Sequence, residues 1–374
     1  MKIALIIPYN PLEEVGGLEI GALRLAKSFI DLGHEALIIS KGINGQIGRI
    51  KIIGFKSMSR ICSWLISETT YDVFHWLEIF PGEGELEQQI AVSETLKLSG
   101  KIVSLMVATS GNLRNRGKKL LHLPVAQASF NFYIISNPDQ QNEFQECGLS
   151  VNIHEIGFGV ELEKFCPVDE ARKARLRSLL DLPINKTLCL FMGRFVERKR
   201  PDFLLNSWNR LTDIHQKAEL IIVGSGMEQH DSIESQVKEL IAQTKAVRFF
   251  DITSEPERYY QACDILLLPS NREGQPNVLM EMLACANPVI GSDIAGIREL
   301  VTNGVNGYTF AVEDESAFAD CIKKLVADPK LRSFLGENGR REIARIKSAS
   351  TVAQQYIDLF QEEKKKGAQS VYES

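Results

Sequence analysis

Apolar residues in this chain arrive in short unbroken runs, separated by longer segments in which they recur every three to four positions. The first run, Lys2-Ile3-Ala4-Leu5-Ile6-Ile7-Pro8, ends at proline and has the pattern of a parallel strand buried on both faces. From about Glu19 to Leu32 the apolar positions are Ile20, Leu23, Ala26, Phe29 and Ile30, a helical stripe. Gly33-His34 then turns the chain into a second strand, Ala36–Ser40, which completes a βαβ unit. The first loop holds Gly16-Gly17 without a GxGxxG spacing, so the dinucleotide fingerprint is absent. Further strands are expected at Ile50–Phe55, Asp72–Leu77, Lys101–Thr109, Phe132–Ser136 and Ile153–Gly157, with a helix at Glu85–Leu98. This alternation describes a doubly wound α/β domain that closes near Phe165-Cys166-Pro167.

A charged helical segment, Asp169–Leu182, is broken by Pro183-Ile184-Asn185, and the alternation then starts again. Strands are expected at Leu188–Met192, Glu219–Val223, Val247–Phe250, Ile265–Pro269, Pro288–Gly291 and Gly307–Phe310. Helices are expected at Pro201–Leu211, Asp231–Gln243, Pro256–Ala262, Val278–Ala284 and Glu315–Ala327. A last amphipathic helix, from about Ser350 to Lys365, carries Val352, Tyr356, Leu359 and Phe360 on one face. At 374 residues the chain is too long for one ordinary core. The expected organisation is two Rossmann-like domains, 1–167 and 168–348, a C-terminal helix at 349–366, and a frayed tail at 367–374. Ligands of such sheets bind outside the carboxyl ends of the strands, so loops from the two domains are expected to converge on a cleft.

Composition removes several function classes. With 44% hydrophobic and 24% charged residues and a net charge of −5, the chain has no global attraction for nucleic acid. Seven cysteines stand without a CxxC pair, and neither a leader pattern nor an apolar run of about 18 residues is present. A cytoplasmic protein with reduced thiols is the expectation. The basic run Asn112-Leu113-Arg114-Asn115-Arg116-Gly117-Lys118-Lys119 is the strong cationic cluster of the first domain. A solvated loop is the commoner meaning of such a run. It also suits peripheral contact, through Arg114–Lys119, with the inner membrane surface or an anionic lipid-pyrophosphate acceptor. No Asp-x-Asp occurs, and the six histidines show no ligand spacing, so neither a metal nor a cofactor is expected.

The chemistry-bearing stretch is Glu273-Gly274-Gln275-Pro276-Asn277-Val278-Leu279-Met280-Glu281, two carboxylates with seven residues between them. It joins the strand ending Leu268-Pro269-Ser270 to a helix for which Asn277 is the expected cap, with Glu281 in the opening turn. Amides and the positive dipole end of that turn suit a phosphate, while the carboxylates are better placed to accept from sugar hydroxyls. Gly193-Arg194-Phe195-Val196-Glu197-Arg198-Lys199 follows the first strand of the second domain, where Arg194 and Lys199 would neutralise a diphosphate. Gly224-Ser225-Gly226 follows the next strand and permits close backbone approach. Taken singly, each feature is also what an ordinary loop or helix start contains.

Together these motifs resemble the retaining, nucleotide-sugar-dependent glycosyltransferases of family 4, which have the two-domain GT-B fold. The resemblance runs through Arg194 and Lys199, Leu220–Gly226, Val247–Asp251, Tyr260–Asp264, Glu273–Glu281, Pro288–Glu299 and Asn303-Gly304…Gly307. It is looser in the first domain, through Gly16-Gly17 and Gly157-Phe158-Gly159-Val160. It implies an α/β GT-B enzyme whose C-terminal helix crosses back to the first domain. The implied activity is transfer of a sugar from a nucleoside diphosphate donor, UDP, GDP or ADP, to a glycan, glycolipid or small-molecule hydroxyl in polysaccharide or glycoconjugate biosynthesis. Arg194 and Lys199 would hold the donor diphosphate, assisted by the amides of Val278, Leu279 and Gly17. Glu273 and the backbone of Gly274, Gln275, Pro276 and Asn277 would position sugar hydroxyls, Glu281 would bind the ribose, and Asp251-Ile252 would touch the base. Family members often carry a histidine after the strand that is Lys101–Thr109 here. This chain has Thr109-Ser110-Gly111 instead, and His75 is the other polar candidate for that wall. A non-catalytic binding subunit of the same fold, or a GT-B enzyme of another reaction such as an epimerase, stands as the alternative.

Overall fold

The opening apolar run forms strand β1 (Lys2–Ile6), and its alternation sends Ile3, Leu5 and Ile7 to one face of a sheet and Ala4 and Ile6 to the other. The computed structural model describes residues 1–13, 16–108, 127–146, 148, 150–226 and 232–373. It divides into two units, Met1–Gly159 with Ala349–Ser374, and Val160–Ser348.

In the first unit β1 is followed by α1 (Gly17–Asp31), β2 (Glu35–Lys41), β3 (Gly45–Ile47), β4 (Ile50–Phe55), α2 (Met58–Ser67), β5 (Val73–Trp76) and α3 (Glu85–Leu98). Strand β6 (Ile102–Val107), β7 (Phe132–Ile135), α4 (Pro138–Glu146) and β8 (Ile153–Glu155) complete it. The strand order is β3-β4-β2-β1-β5-β6-β7-β8, parallel except where the short β3 turns back against β4. Helices α2 and α3 cover the face that holds Ala4, Ile6, Phe74 and Trp76. The short helices α2 and α4 and the turn-back at β3 are additions to the elements that the apolar pattern marked.

The second unit runs α5 (Glu170–Leu179), β9 (Thr187–Met192), α6 (Pro201–Arg210), β10 (Ala218–Val223), α7 (Glu234–Gln243), β11 (Val247–Phe250), α8 (Pro256–Ala262) and β12 (Ile265–Leu268). It continues with α9 (Asn277–Ala284), β13 (Val289–Ser292), α10 (Ala295–Arg298), β14 (Gly307–Phe310), α11 (Glu315–Ala327) and α12 (Pro329–Ile346). The sheet order is β11-β10-β9-β12-β13-β14, all parallel, the arrangement of a doubly wound fold. Leu188, Leu190 and Met192 of β9 face α8, α9 and α12; Cys189 and Phe191 face α6 and α11. Helix α12 is an addition to the helices expected from the apolar pattern, and it contains Gly336 and Gly339. In the structure these glycines permit contact. A Cβ on Gly336 would run into the Ala286 carbonyl at the end of α9, and one on Gly339 would sit 2.6 Å from Leu283 Cδ2. Asp328 caps the helix by accepting from the Leu331 amide at 3.0 Å.

The last helix, α13 (Ala349–Glu373), packs in the first unit, closing the face opposite α2 and α3. Tyr356 lies 6.2 Å from Phe29, Phe360 lies 6.1 Å from Phe132, and the Tyr356 hydroxyl donates to the Gly157 carbonyl at 3.1 Å. The helix continues to Glu373, through the stretch expected to fray. The division between units falls at Gly159/Val160, ahead of the Pro167 expected from the sequence. The reason lies in what residues 160–166 bond. The Val160 amide donates to the Lys347 carbonyl at 2.8 Å, and Arg340 donates to the carbonyls of Leu162, Phe165 and Ala284.

Candidate functional site

The order β11-β10-β9-β12 reverses the direction of winding between β9 and β12, and that reversal leaves a crevice at the carboxyl ends of the two strands. The loops leaving those two strands are the ones that carry Arg194 and Lys199 on one side and Glu273 on the other. After β9 the chain runs through Gly193 and Arg194 into a 3₁₀ turn at Glu197–Lys199. After β12 it runs through Ser270 to Glu273 and then into α9. The two loops are joined by main chain, the Asn271 amide donating to the Arg198 carbonyl at 2.9 Å.

Side chains close the same junction. Lys199 Nζ lies 2.6 Å from Glu273 Oε1, both side chains at least nine-tenths buried. Ser270 Oγ donates to Glu273 Oε1 at 2.8 Å, and Arg198 Nη1 reaches Oε2 at 3.3 Å. Burial opposes the charge on Glu273, yet the Lys199 and Arg198 cations outweigh it and hold the carboxyl below the usual range. Burial pushes the Lys199 ammonium down; Glu273 pulls it back up, while Arg198 and Arg194 push it further down. The corner is therefore an ionised carboxylate among three cationic side chains, arranged where a parallel sheet presents its ligand-binding edge.

Helix α9 begins beside this corner, with Pro276 (φ −75°, ψ 111°) rather than Asn277 in the capping position. Asn277 is the first helical residue. Glu281 is accordingly the fifth helical residue, a full turn in, and is 4% exposed; the expectation that it lies in the opening turn is corrected. The Leu279 amide donates to the Pro276 carbonyl at 3.1 Å, so it is engaged within the tightened first turn. The Val278 amide occupies the second helical position, where helix geometry supplies no acceptor. Gly274 and Gln275 are half-buried in the loop between.

Two glycines hold the neighbouring backbone. A Cβ on Gly224, after β10, would run into the Gly193 carbonyl, so the loops after β9 and β10 touch main chain to main chain. A Cβ on Gly296, in α10, would lie 2.6 Å from the Glu273 carbonyl oxygen and nearer still to that of Gly274. Asp251 and Ile252 follow β11 and are exposed. They stand two strands from β9, roughly 10 Å along the sheet edge at the usual strand spacing.

The remaining candidates belong to the first unit. Gly16 caps α1 with its backbone extended and Gly17 opens the helix. His75 is corrected as a site residue. It lies inside β5 with no exposed surface, shares a 2.8 Å hydrogen bond between Nδ1 and Ser104 Oγ, and packs 5.3 Å from the Tyr356 ring. Burial lowers its pKa to about 3, so it is a neutral core residue under α13. Thr109, Ser110 and Gly111, and the basic run Arg114–Lys119, lie outside the described residues. Among the described residues, no three His, Cys, Asp or Glu side chains are grouped to hold a metal ion, and no helix is long and apolar enough to cross a membrane. Sequence reasoning passed over Arg198, Ser270 and Gly296 as site residues. Arg198 stood in a loop with three other cations, and only the 3₁₀ turn decides which of them meets Glu273.

Residues 173–342, within the second unit, match the family model described as "Glycosyl transferases group 1". HepE of Anabaena, solved in complex with UDP-glucose, superposes with a TM-score of 0.79 at 16% identity, over 97% of this chain and all of that one. The fold is thus the α/β two-domain GT-B fold. Among proteins of known name, a D-inositol 3-phosphate glycosyltransferase of Xylanimonas cellulosilytica is 27% identical over 288 residues, 73% of this chain and 68% of that protein. The capsular polysaccharide biosynthesis glycosyltransferase CapM of Staphylococcus aureus is 26% identical over 209 residues, 55% of this chain. The match spans 54%, about half, of CapM.

Proposed function

We propose that this protein transfers a hexose from a nucleoside diphosphate donor, of the UDP-sugar class, to an acceptor hydroxyl with retention of anomeric configuration. The observation that carries this reading is the buried Glu273 set against Lys199 and Arg198 at the switch point of the second sheet, with Arg194 on the same loop. A donor laid along the carboxyl edge places its diphosphate among the cations and the Val278 amide. Its base then lies toward Asp251 and Ile252, its ribose toward Glu281, and its sugar beside Glu273 and Gly274. HepE, crystallised with UDP-glucose, supports the donor class, and CapM, named for capsular polysaccharide biosynthesis, supports a glycan or lipid-linked acceptor.

The chemistry follows from what the side chains can do. Glu273 has both oxygens committed to cations and a hydroxyl, and its pKa is held low, so it is a poor base and a poor nucleophile. It positions sugar hydroxyls instead. The acceptor hydroxyl then attacks on the face the diphosphate leaves, and a phosphate oxygen takes its proton, which preserves the anomeric configuration without an enzyme-bound sugar. Preorganised cations and helix-start amides stabilise the developing negative charge on the leaving group.

Incubation with UDP-, GDP- and ADP-sugars, without an added acceptor, tests the reading. The expected result is slow nucleoside diphosphate release from one nucleotide series, lowered by about 10²-fold or more in Lys199→Ala, the scale for loss of one preorganised charge-stabilising group. Nucleotides that raise the melting temperature while no sugar is released would establish a binding subunit instead. Release of an isomerised donor would establish an epimerase.

A further inference from the structure

One side chain in this corner has a role of its own, and its place follows from how the charges are divided. Glu273 presents two oxygens and the protein assigns them separately. Lys199 at 2.6 Å and Ser270 at 2.8 Å take Oε1, while Arg198 at 3.3 Å takes Oε2. Arg198 Nη1 is also 3.5 Å from the Arg272 carbonyl, and the Arg198 main-chain carbonyl holds Asn271. Its guanidinium is therefore fixed to the β12 loop at both side chain and backbone, whereas Lys199 is a single ammonium on a flexible stem.

A diphosphate entering this corner needs a cation, and the Lys199 ammonium is in contact with Glu273 before it arrives. For Lys199 to turn to the phosphate, Glu273 must release it. A carboxylate buried to this degree is costly to leave without counter-charge. Arg198 already occupies the other oxygen and need not move. We infer that Glu273 and the donor diphosphate compete for Lys199, and that Arg198 is the positioning residue that holds the freed carboxylate charged and in place during the exchange. This rests on the reading of the corner as a nucleoside diphosphate sugar site. Arg198 thereby favours donor binding without touching the donor, and Glu273, needed for transfer, disfavours it.

The opposite signs give the test. Titration calorimetry with UDP, GDP and ADP is run on the full chain and on E273Q, R198Q and R198K, each checked for folding of the second unit by hydrogen exchange of the β9 and β12 amides. E273Q removes the competing anion and is expected to bind the preferred nucleoside diphosphate about tenfold more tightly, about 1.4 kcal/mol. R198Q removes the second counter-charge of Glu273 and is expected to bind it about tenfold more weakly, with R198K restored toward the full chain's affinity. Weakening in both E273Q and R198Q, as a loss of local structure would give, overturns the exchange. So does an unchanged R198Q, and that variant, shown folded by the same exchange measurement, decides the matter even if E273Q unfolds. If the unsubstituted chain binds none of the three nucleotides, the reading of the site fails, and the exchange with it.

Discussion

The Lys199–Glu273 contact makes an unequal prediction for the two partners. Glu273→Gln preserves shape and the Ser270 contact, but strands an ammonium that is 10% exposed. Breaking a buried pair in this way costs about 3–5 kcal/mol. Lys199→Met preserves length and leaves the carboxylate with Arg198 at 3.3 Å and Ser270 at 2.8 Å, so its cost is expected near 1–3 kcal/mol, the scale of losing one charged hydrogen bond. The double variant has no stranded charge at the centre and is expected to be more stable than Glu273→Gln alone, with a coupling of roughly 2–3 kcal/mol. Because the chain has two units, a single melting curve would mix them. Hydrogen exchange of the β9 and β12 amides reports the second unit alone and gives each variant's opening free energy. Equal costs for the two single substitutions, adding to the double within about 0.5 kcal/mol, would refute the division of charge described for this corner.

Further outcomes follow from other parts of the molecule. His75 has a folded-state pKa of about 3 against an ordinary value of 6.5, so the unfolded chain binds the extra proton between those pH values. Its contribution is intact above pH 6.5 and is lost as pH falls toward 3. About 2 kcal/mol is gone by pH 5, and a His75→Asn variant should flatten the slope of acid unfolding in the first unit. Gly296→Ala and Gly336→Ala should each cost about 1–3 kcal/mol by overpacking. Only the first should also lower nucleotide-sugar turnover, since its Cβ presses on the Glu273–Gly274 loop while the other presses on Ala286. Asp264 holds Lys173 at 2.5 Å and Arg177 at 2.7 Å, and those cations outweigh burial to keep its carboxyl below the usual range. Asp264→Asn should lower second-unit stability by about 3–5 kcal/mol in the same exchange measurement, with nucleotide affinity unchanged.

Much of the fold was legible because its local signals agree. Ile50–Phe55, Val247–Phe250 and Gly307–Phe310 are strands, and Glu85–Leu98, Pro256–Ala262 and Glu315–Ala327 are helices, with the bounds the apolar pattern sets. Where sequence and structure part, a tertiary contact decides. Helix α12 was not marked in the sequence, and the purpose of its Gly336 and Gly339, close passage over α9, is visible only when both helices are present. His75 read as a polar candidate because a strand residue's surroundings come from other strands and from α13, some 280 residues away. The loops of the candidate site were legible one by one. Their meeting was not, since it depends on β12 pairing with β9 rather than with β11. Arg198 was hidden among neighbours of the same charge.

The placement of α13 has a consequence for how the protein is made. When residues 1–159 leave the ribosome, α1 covers only part of its face of the sheet, and the surroundings of Phe29, His75 and Phe132 lack the cover that α13 supplies. Tyr356 and Phe360 follow roughly 200 residues later, about 10–40 s at ordinary rates of elongation. The second unit is contiguous and can complete first, so synthesis order and folding order are reversed. In the interval the nascent first half is an unfinished sandwich with one greasy side, a natural client for a holding chaperone. A fault late in translation would therefore be felt in the part of the protein that was made first.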